Sequence, residues 1–216
     1  SPGELGVDLD TAYLLMAQVQ EQRKQYTRAD DWLRKADPQS EKIKVQSARA
    51  KLLLMQGKIQ EGIKLLRAMP ETEPRDGIAK VNAEVQLWRE MKAYDEAMKV
   101  LRQANRNYPN DPALMYDQAM VAEQLGLHAE VEPLLRQVMA LKPEDPNAYN
   151  ALGYSLADRN LRLDEARALI TKAISLRPRA PFTTDSLGWS SFRHGQTDQA
   201  LQLLQQAYQA RPGAEI

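Results

Sequence analysis

Cysteine is absent from the 216 residues, so the chain offers no disulfide framework and no thiolate chemistry, and the redox compartment stays open. Neither sign of charge dominates. Lys and Arg together number 29, as do Asp and Glu, which removes the basic excess that a nucleic-acid partner calls for. Long hydrophobic runs are missing too, and none approaches the length of a membrane span. Histidine is scarce: His128 and His194 each lie beside a glycine, Gly126 and Gly195, and read as surface turn residues rather than metal ligands. There is no Gly-rich phosphate loop, no Gly-x-Ser-x-Gly elbow and no Asp-rich calcium loop. The opening "SPGELGVD" lacks a basic n-region and an apolar h-region, and the chain ends abruptly on "RPGAEI"; both ends read as those of an excised segment. Catalysis, cofactors and metals are therefore not expected.

What the chain has in quantity is repetition. "NALGYSLADRNLRLDEARALITKAISLRP" (150–178) is echoed by "DSLGWSSFRHGQTDQALQLLQQAYQARP" (185–212). Pro74, Pro109, Pro143, Pro178 and Pro212 are separated by 35, 34, 35 and 34 residues. Small or compact residues keep the same step. Ala50, Val85, Ala119, Gly153 and Gly188 hold one position, and Gly62, Ala97, Val131, Ala166 and Ala200 a second. Met69, Ala104, Val138, Ala173 and Ala207 hold a third, and an earlier unit joins the frame through Ala17, Ala29 and Ala36. A fixed period of this length marks a stack of small identical units. Six follow: 10–42, 43–77, 78–111, 112–145, 146–180 and 181–214, after 1–9, which reads as a short extension or the end of a preceding repeat.

Each unit reads as two helices, because apolar residues recur at three- and four-residue spacing. Asp111-Pro112 and Asp145-Pro146 place a capping carboxylate before a proline whose missing N–H costs nothing at a helix start. Asp95-Glu96, Asp164-Glu165 and Asp198 put negative charge at the start of second helices. Their recurrence at one repeat position argues for helix capping and against paired acid/base carboxylates. Gly57, Gly126 and Gly195 are expected in the turn between paired helices, where a left-handed backbone is cheap. Trp32 and Trp88 sit at core-compatible spacing. The expected fold is all-α: twelve helices in six antiparallel pairs, without sheet.

The pattern of large apolar residue, Leu-Gly, turn glycine, Ala, Ala and Pro resembles the tetratricopeptide repeat. "ALGYSLADRNLRLDEA" and "SLGWSSFRHGQTDQA" match it closely, whereas Arg49-Ala50 replaces Leu-Gly and Ser191 replaces the expected Tyr. "ADRNLRLDEA" carries one extra turn residue, expected to bulge without disturbing the stack. The resemblance spans nearly the whole chain and implies a right-handed superhelical solenoid whose first helices line a concave face. It also implies which residues point into that face. Toward the amino end these are Thr11, Gln18, Lys44, Lys51, Asn82, Gln86 and Arg89. Toward the carboxyl end they are Tyr116, Met120, Asn147, Asn150, Tyr154, Phe182, Asp185, Trp189, Phe192 and Arg193. Aromatics beside asparagine suit peptide capture, since rings supply rigid apolar area and an amide pairs with both backbone N–H and C=O. The family's Lys/Asn/Arg carboxylate clamp is not reproduced.

These features imply a scaffold that binds a protein or peptide partner. An accessory domain of a larger enzyme and a self-associating structural protein are the alternatives, the latter through an uncapped last repeat bearing Leu201, Leu204 and Tyr208. The 150–212 run is also similar to long Gram-negative tetratricopeptide lipoproteins, some of which serve as adaptors for carboxyl-terminal processing proteases. That resemblance implies a periplasmic, outer-membrane-anchored location with a lipidated cysteine upstream and further repeats; without it, a cytoplasmic location is the default.

Overall fold

The computed structural model describes residues 9–36, 43–176 and 189–210, the last stretch by backbone alone as far as residue 194. These residues fall into two compact units, Ser1–Ala93 and Tyr94–Ile216, and contain eleven helices with no strand among them. The first unit holds α1 (Leu9–Gln22), α2 (Tyr26–Arg34), α3 (Ile43–Met55), α4 (Ile59–Arg67) and α5 (Asp76–Glu90). The second holds α6 (Tyr94–Asn107), α7 (Pro112–Gln124), α8 (His128–Leu141), α9 (Pro146–Asp158), α10 (Leu163–Leu176) and α11 (Trp189–Gln209). Helices α1 and α2, α3 and α4, α7 and α8, and α9 and α10 pack as hairpins, and each later first helix also packs on the second helix before it.

One backbone device ends the first helix of each of the first five repeats. Lys24, Gly57, Lys92, Gly126 and Asn160 all have positive φ, between 54° and 77°, and follow one another at the repeat step. At each, two N–H groups turn back on the orphan carbonyls of the first helix. Gly126 N donates to Glu123 O at 3.1 Å and Leu127 N to Ala122 O at 2.9 Å; Lys92 and Ala93 do the same to Arg89 and Trp88 at 2.9 and 2.8 Å. This is the Schellman arrangement, and only two of its five left-handed residues are glycine. The extra residue of the fifth repeat is absorbed by a second left-handed residue, Arg162 at φ 43°. Its guanidinium is held by both oxygens of Glu132 on α8, which offsets part of the strain.

The small positions are where helices touch. Ala50, Val85, Ala119, Ala97, Val131, Ala166 and Ala200 are all fully buried. A Cβ added to Gly62 would lie 2.9 Å from the Ala50 carbonyl oxygen, and one on Gly153 would lie 2.7 Å from Ile170 Cδ1. Asp111 and Asp145 cap as expected, accepting from Leu114 N at 3.0 Å and Asn147 N at 2.9 Å. Trp88 is buried, and Trp32 packs against Tyr13 with ring centroids 6.4 Å apart.

The last repeat differs from its expectation. Gly195 is expected in a turn, yet α11 runs through it as one helix, and Asp198 lies inside that helix instead of at its start. Trp189–Gln209 contains no proline, so nothing interrupts backbone hydrogen bonding there, and a single interior glycine costs a helix only about 1 kcal/mol. Among the described residues the chain therefore has eleven helices where the sequence leads one to expect twelve.

Candidate functional site: the inner face of α7 and α9

Of the expected groove residues toward the carboxyl end, Phe182 and Asp185 lie outside the described residues, as do the side chains of Trp189, Phe192 and Arg193. The structure places the rest on two helices, Tyr116 and Met120 on α7 and Asn147, Asn150 and Tyr154 on α9.

Three of these five are interior, contrary to the groove expectation. Tyr116, Met120 and Asn150 are only 7%, 1% and 4% exposed. The reason is that α7 is packed by α6, α8 and α9, and α9 by α8, α10 and α11, so eight of the thirteen residues of each are buried. Asn150 has a structural task. Its Oδ1 accepts a hydrogen bond from the Thr197 hydroxyl of α11 at 2.6 Å, in a fully buried setting. Asn147 and Tyr154 keep part of their surface open.

Two carboxylates act on Tyr154. Burial first, then the carboxylates of Asp158 and Glu123, push the Tyr154 phenol above its ordinary range. Glu123 sits on α7 and accepts from Ser155 Oγ of α9 at 2.9 Å, tying the two first helices together. Arg159 Nε donates to the Ser155 carbonyl at 3.3 Å and its Nη2 to Ser155 Oγ at 3.4 Å, which brings the guanidinium to the hydroxyl that Glu123 also engages. His128, first residue of α8, is 39% exposed on its side chain, with Nδ1 4.0 Å from Glu123. An aromatic ring flanked by carboxylates presents apolar area and negative potential together, a combination that suits a partner segment carrying a cation next to an apolar side chain. Glu123 and Asp158 escaped the sequence reading, although they stand at the repeat positions that Phe192 and Arg193 hold in the last unit.

No group of His, Cys, Asp and Glu among the described residues could hold a metal ion. None of the described helices is long and apolar enough to cross a membrane.

Comparison with known proteins agrees with this geometry. Family models described as tetratricopeptide repeat match residues 116–181, and also 85–111 and 186–214. The chain is a tetratricopeptide repeat protein. It is 32% identical over 208 residues to the TPR repeat-containing protein PA4667 of Pseudomonas aeruginosa, an alignment that covers 96% of this chain but 35% of that relative. The chain thus spans about a third of the length of that protein. Among solved structures it is similar to TTC0263, a thermophilic TPR protein of Thermus thermophilus, with a TM-score of 0.56 at 20% identity, covering 89% of this chain and 99% of that one. It is similar also to YrrB, a TPR protein described as having an unusual peptide-binding site, with a TM-score of 0.52 at 17% identity over 88% and 90%. At such identity these two likenesses speak for the fold alone: an all-α helical-repeat solenoid.

Proposed function

We propose that this tetratricopeptide chain is a non-catalytic scaffold that holds a protein or peptide partner against the inner face of α7 and α9. The observation that carries the reading is Tyr154, a partly open aromatic ring at an inward repeat position with Glu123 and Asp158 beside it. Rigid rings of this kind are the residues whose truncation most often costs binding, and the two carboxylates favour a partner segment bearing Lys or Arg. YrrB, of similar fold, is described as having a peptide-binding site, so a stack of this kind can carry one.

The finer reading is an adaptor for a carboxyl-terminal processing protease, placed in the periplasm at the outer membrane. What supports it is the resemblance of the 150–212 run to Gram-negative lipoproteins of that kind. The test is affinity capture with the full natural protein, followed by binding of the captured partner to a Glu123→Gln/Asp158→Asn variant. The reading expects a protease among the captured proteins, and binding that weakens in the variant and loses salt sensitivity. Capture that ignores both substitutions and Tyr154→Ala would place the partner on another face.

A further inference from the structure

By the repeat period, residues 195–209 carry the sequence of a second helix. Ala200 holds the small position of Gly62, Ala97, Val131 and Ala166, all of which lie in second helices. A second helix runs against the first helix of its hairpin, whereas successive first helices run in one direction. The end of α11 does the latter. Thr197 donates to Asn150, one turn into α9, at 2.6 Å, and Tyr208 donates to Asp164, in the first turn of α10, at 2.7 Å. Because α10 begins where α9 ends, the path from Thr197 to Tyr208 follows α9 in its own direction. A second-helix sequence thus occupies the place of a first helix, packed on both α9 and α10.

That seat is imperfect. Gln196 is 2% exposed, yet neither its Oε1 nor its Nε2 has a hydrogen-bond partner. A buried carboxamide without partners carries a desolvation cost that a solvated one does not. Gln25, Lys58, Leu127 and Leu161 hold the same place, directly after the left-handed residue of their own units, and all four are exposed. A left-handed turn at Gly195 would likewise return Gln196 to water, and glycine takes that turn without strain. Against it stand the Thr197–Asn150 bond, the buried Ala200 and Leu204, and the Tyr208 ring under the Arg167 guanidinium at 5.3 Å. We infer that residues 196–209 are a releasable cover of α9, which swings out at Gly195 and uncovers Asn150 beside Tyr154.

What the cover gates rests on the reading of the α7 and α9 face given above. Asn150 and Tyr154 stand four residues apart on α9 and so share one side of it. While the cover is in place, the Asn150 carboxamide is only 4% exposed and its Oδ1 is taken by Thr197. A peptide segment that lies on the ring and also pairs with this carboxamide needs the released form. Its apparent affinity then falls in proportion to the fraction of chains in which the cover is out. The unpaired Gln196 raises that fraction, and the Thr197–Asn150 bond lowers it.

The test uses the absence of cysteine, which makes a single introduced thiol a clean reporter. Gln196→Cys reports release of the cover, and Val138→Cys, at a buried position inside α8, reports wider unfolding. Both thiols react with a maleimide far more slowly than in the urea-unfolded chain, and Gln196→Cys reacts at least about tenfold faster than Val138→Cys. Adding Gly195→Ala slows the Gln196→Cys thiol about fivefold, the factor for roughly 1 kcal/mol of helix preference. Equal rates at the two sites, no response to Gly195→Ala, or a Gln196→Cys thiol as fast as in the unfolded chain overturns the inference. Gln196→Leu, which fills the same seat without an unpaired amide, raises the melting midpoint by about 4 °C or more, and an unchanged or lower midpoint contradicts the strained seat. Calorimetric titration with a synthetic Lys-Leu-Lys-Leu-Lys peptide then reads the gating. Gly195→Ala/Gln196→Leu weakens binding at least about tenfold, and Tyr154→Ala weakens it too. Weakening by Tyr154→Ala alone overturns the inference and leaves the proposed face standing. No weakening by Tyr154→Ala sinks the proposed face, and the thiol rates then decide for or against the cover by themselves.

Discussion

Arg67 grips Glu84 with both ends of its guanidinium, Nε to Oε1 at 2.6 Å and Nη2 to Oε2 at 3.0 Å. The pair joins α4 to α5 and is lopsided: the Glu84 side chain is 6% exposed and the Arg67 side chain 66%. Trp88 Nε1 also donates to Glu84 at 3.3 Å. Removing the exposed partner therefore leaves a buried carboxylate. Arg67→Ala is expected to cost about 2–3 kcal/mol, and Glu84→Gln, which keeps an oxygen for Trp88, about 1 kcal/mol. Urea unfolding of the two variants gives the order directly; equal costs would mean that water solvates the carboxylate.

The continuous α11 makes a prediction of opposite sign at equivalent glycines. Gly126→Ala forces an alanine to φ 71° and should lose about 1–2 kcal/mol, with no steric term because nothing lies within 4 Å of the new Cβ. Gly195→Ala, inside a helix and equally uncrowded, should gain about 1 kcal/mol. Thermal melts of the two variants read both signs. A loss at Gly195 would mean that the sixth repeat turns there like the other five.

Close helix contacts should resist any added carbon. Gly153→Ala drives a methyl into Ile170 and is expected to cost about 1–3 kcal/mol, and Ala166→Leu at least as much. Thermal melts of both variants check it, and neutrality at both would shift the repeat frame.

The ion-pair group linking α8 and α10 sets an acid response. Arg162 first, then Arg136, holds the Glu132 carboxyl down to about 2 from an ordinary 4.5. A depressed carboxyl stabilises above its unfolded value and loses that contribution as pH falls through the folded one. The window is thus pH 4.5 down to about 2. Because the group is near the surface, screening limits its contribution to about 1–2 kcal/mol. Glu132→Gln should flatten the stability profile in that window and leave its slope above about pH 5 unchanged.

Much of the fold is legible because the repeat writes its constraints several times over. One proline or one alanine says little, but Ala50, Val85, Ala119 and Gly153 at a constant step locate a helix contact before any coordinate is known. Gly57 and Gly126 announce their turns through their own chemistry. Lys92 and Asn160 take the same left-handed backbone with ordinary side chains, so only the period could find them. Gly195 shows the limit of local turn chemistry, because a glycine permits a left-handed turn without enforcing one. The site is less legible for a different reason. Helix position tells which way Asn150 points, but not that Thr197, forty-seven residues later, closes over it. Glu123 and Asp158 stand in the same frame, but single carboxylates are common on helix surfaces and acquire meaning only beside the Tyr154 ring.

The measurement that tests the central claim most directly is calorimetric titration of the captured partner into the wild-type chain and into Tyr154→Ala, with helicity recorded for both. The account predicts unchanged helicity and binding weakened about thirtyfold, the loss expected of an anchor contributing roughly 2 kcal/mol. Equal affinity for the two chains, or a variant that loses its helices, would contradict it.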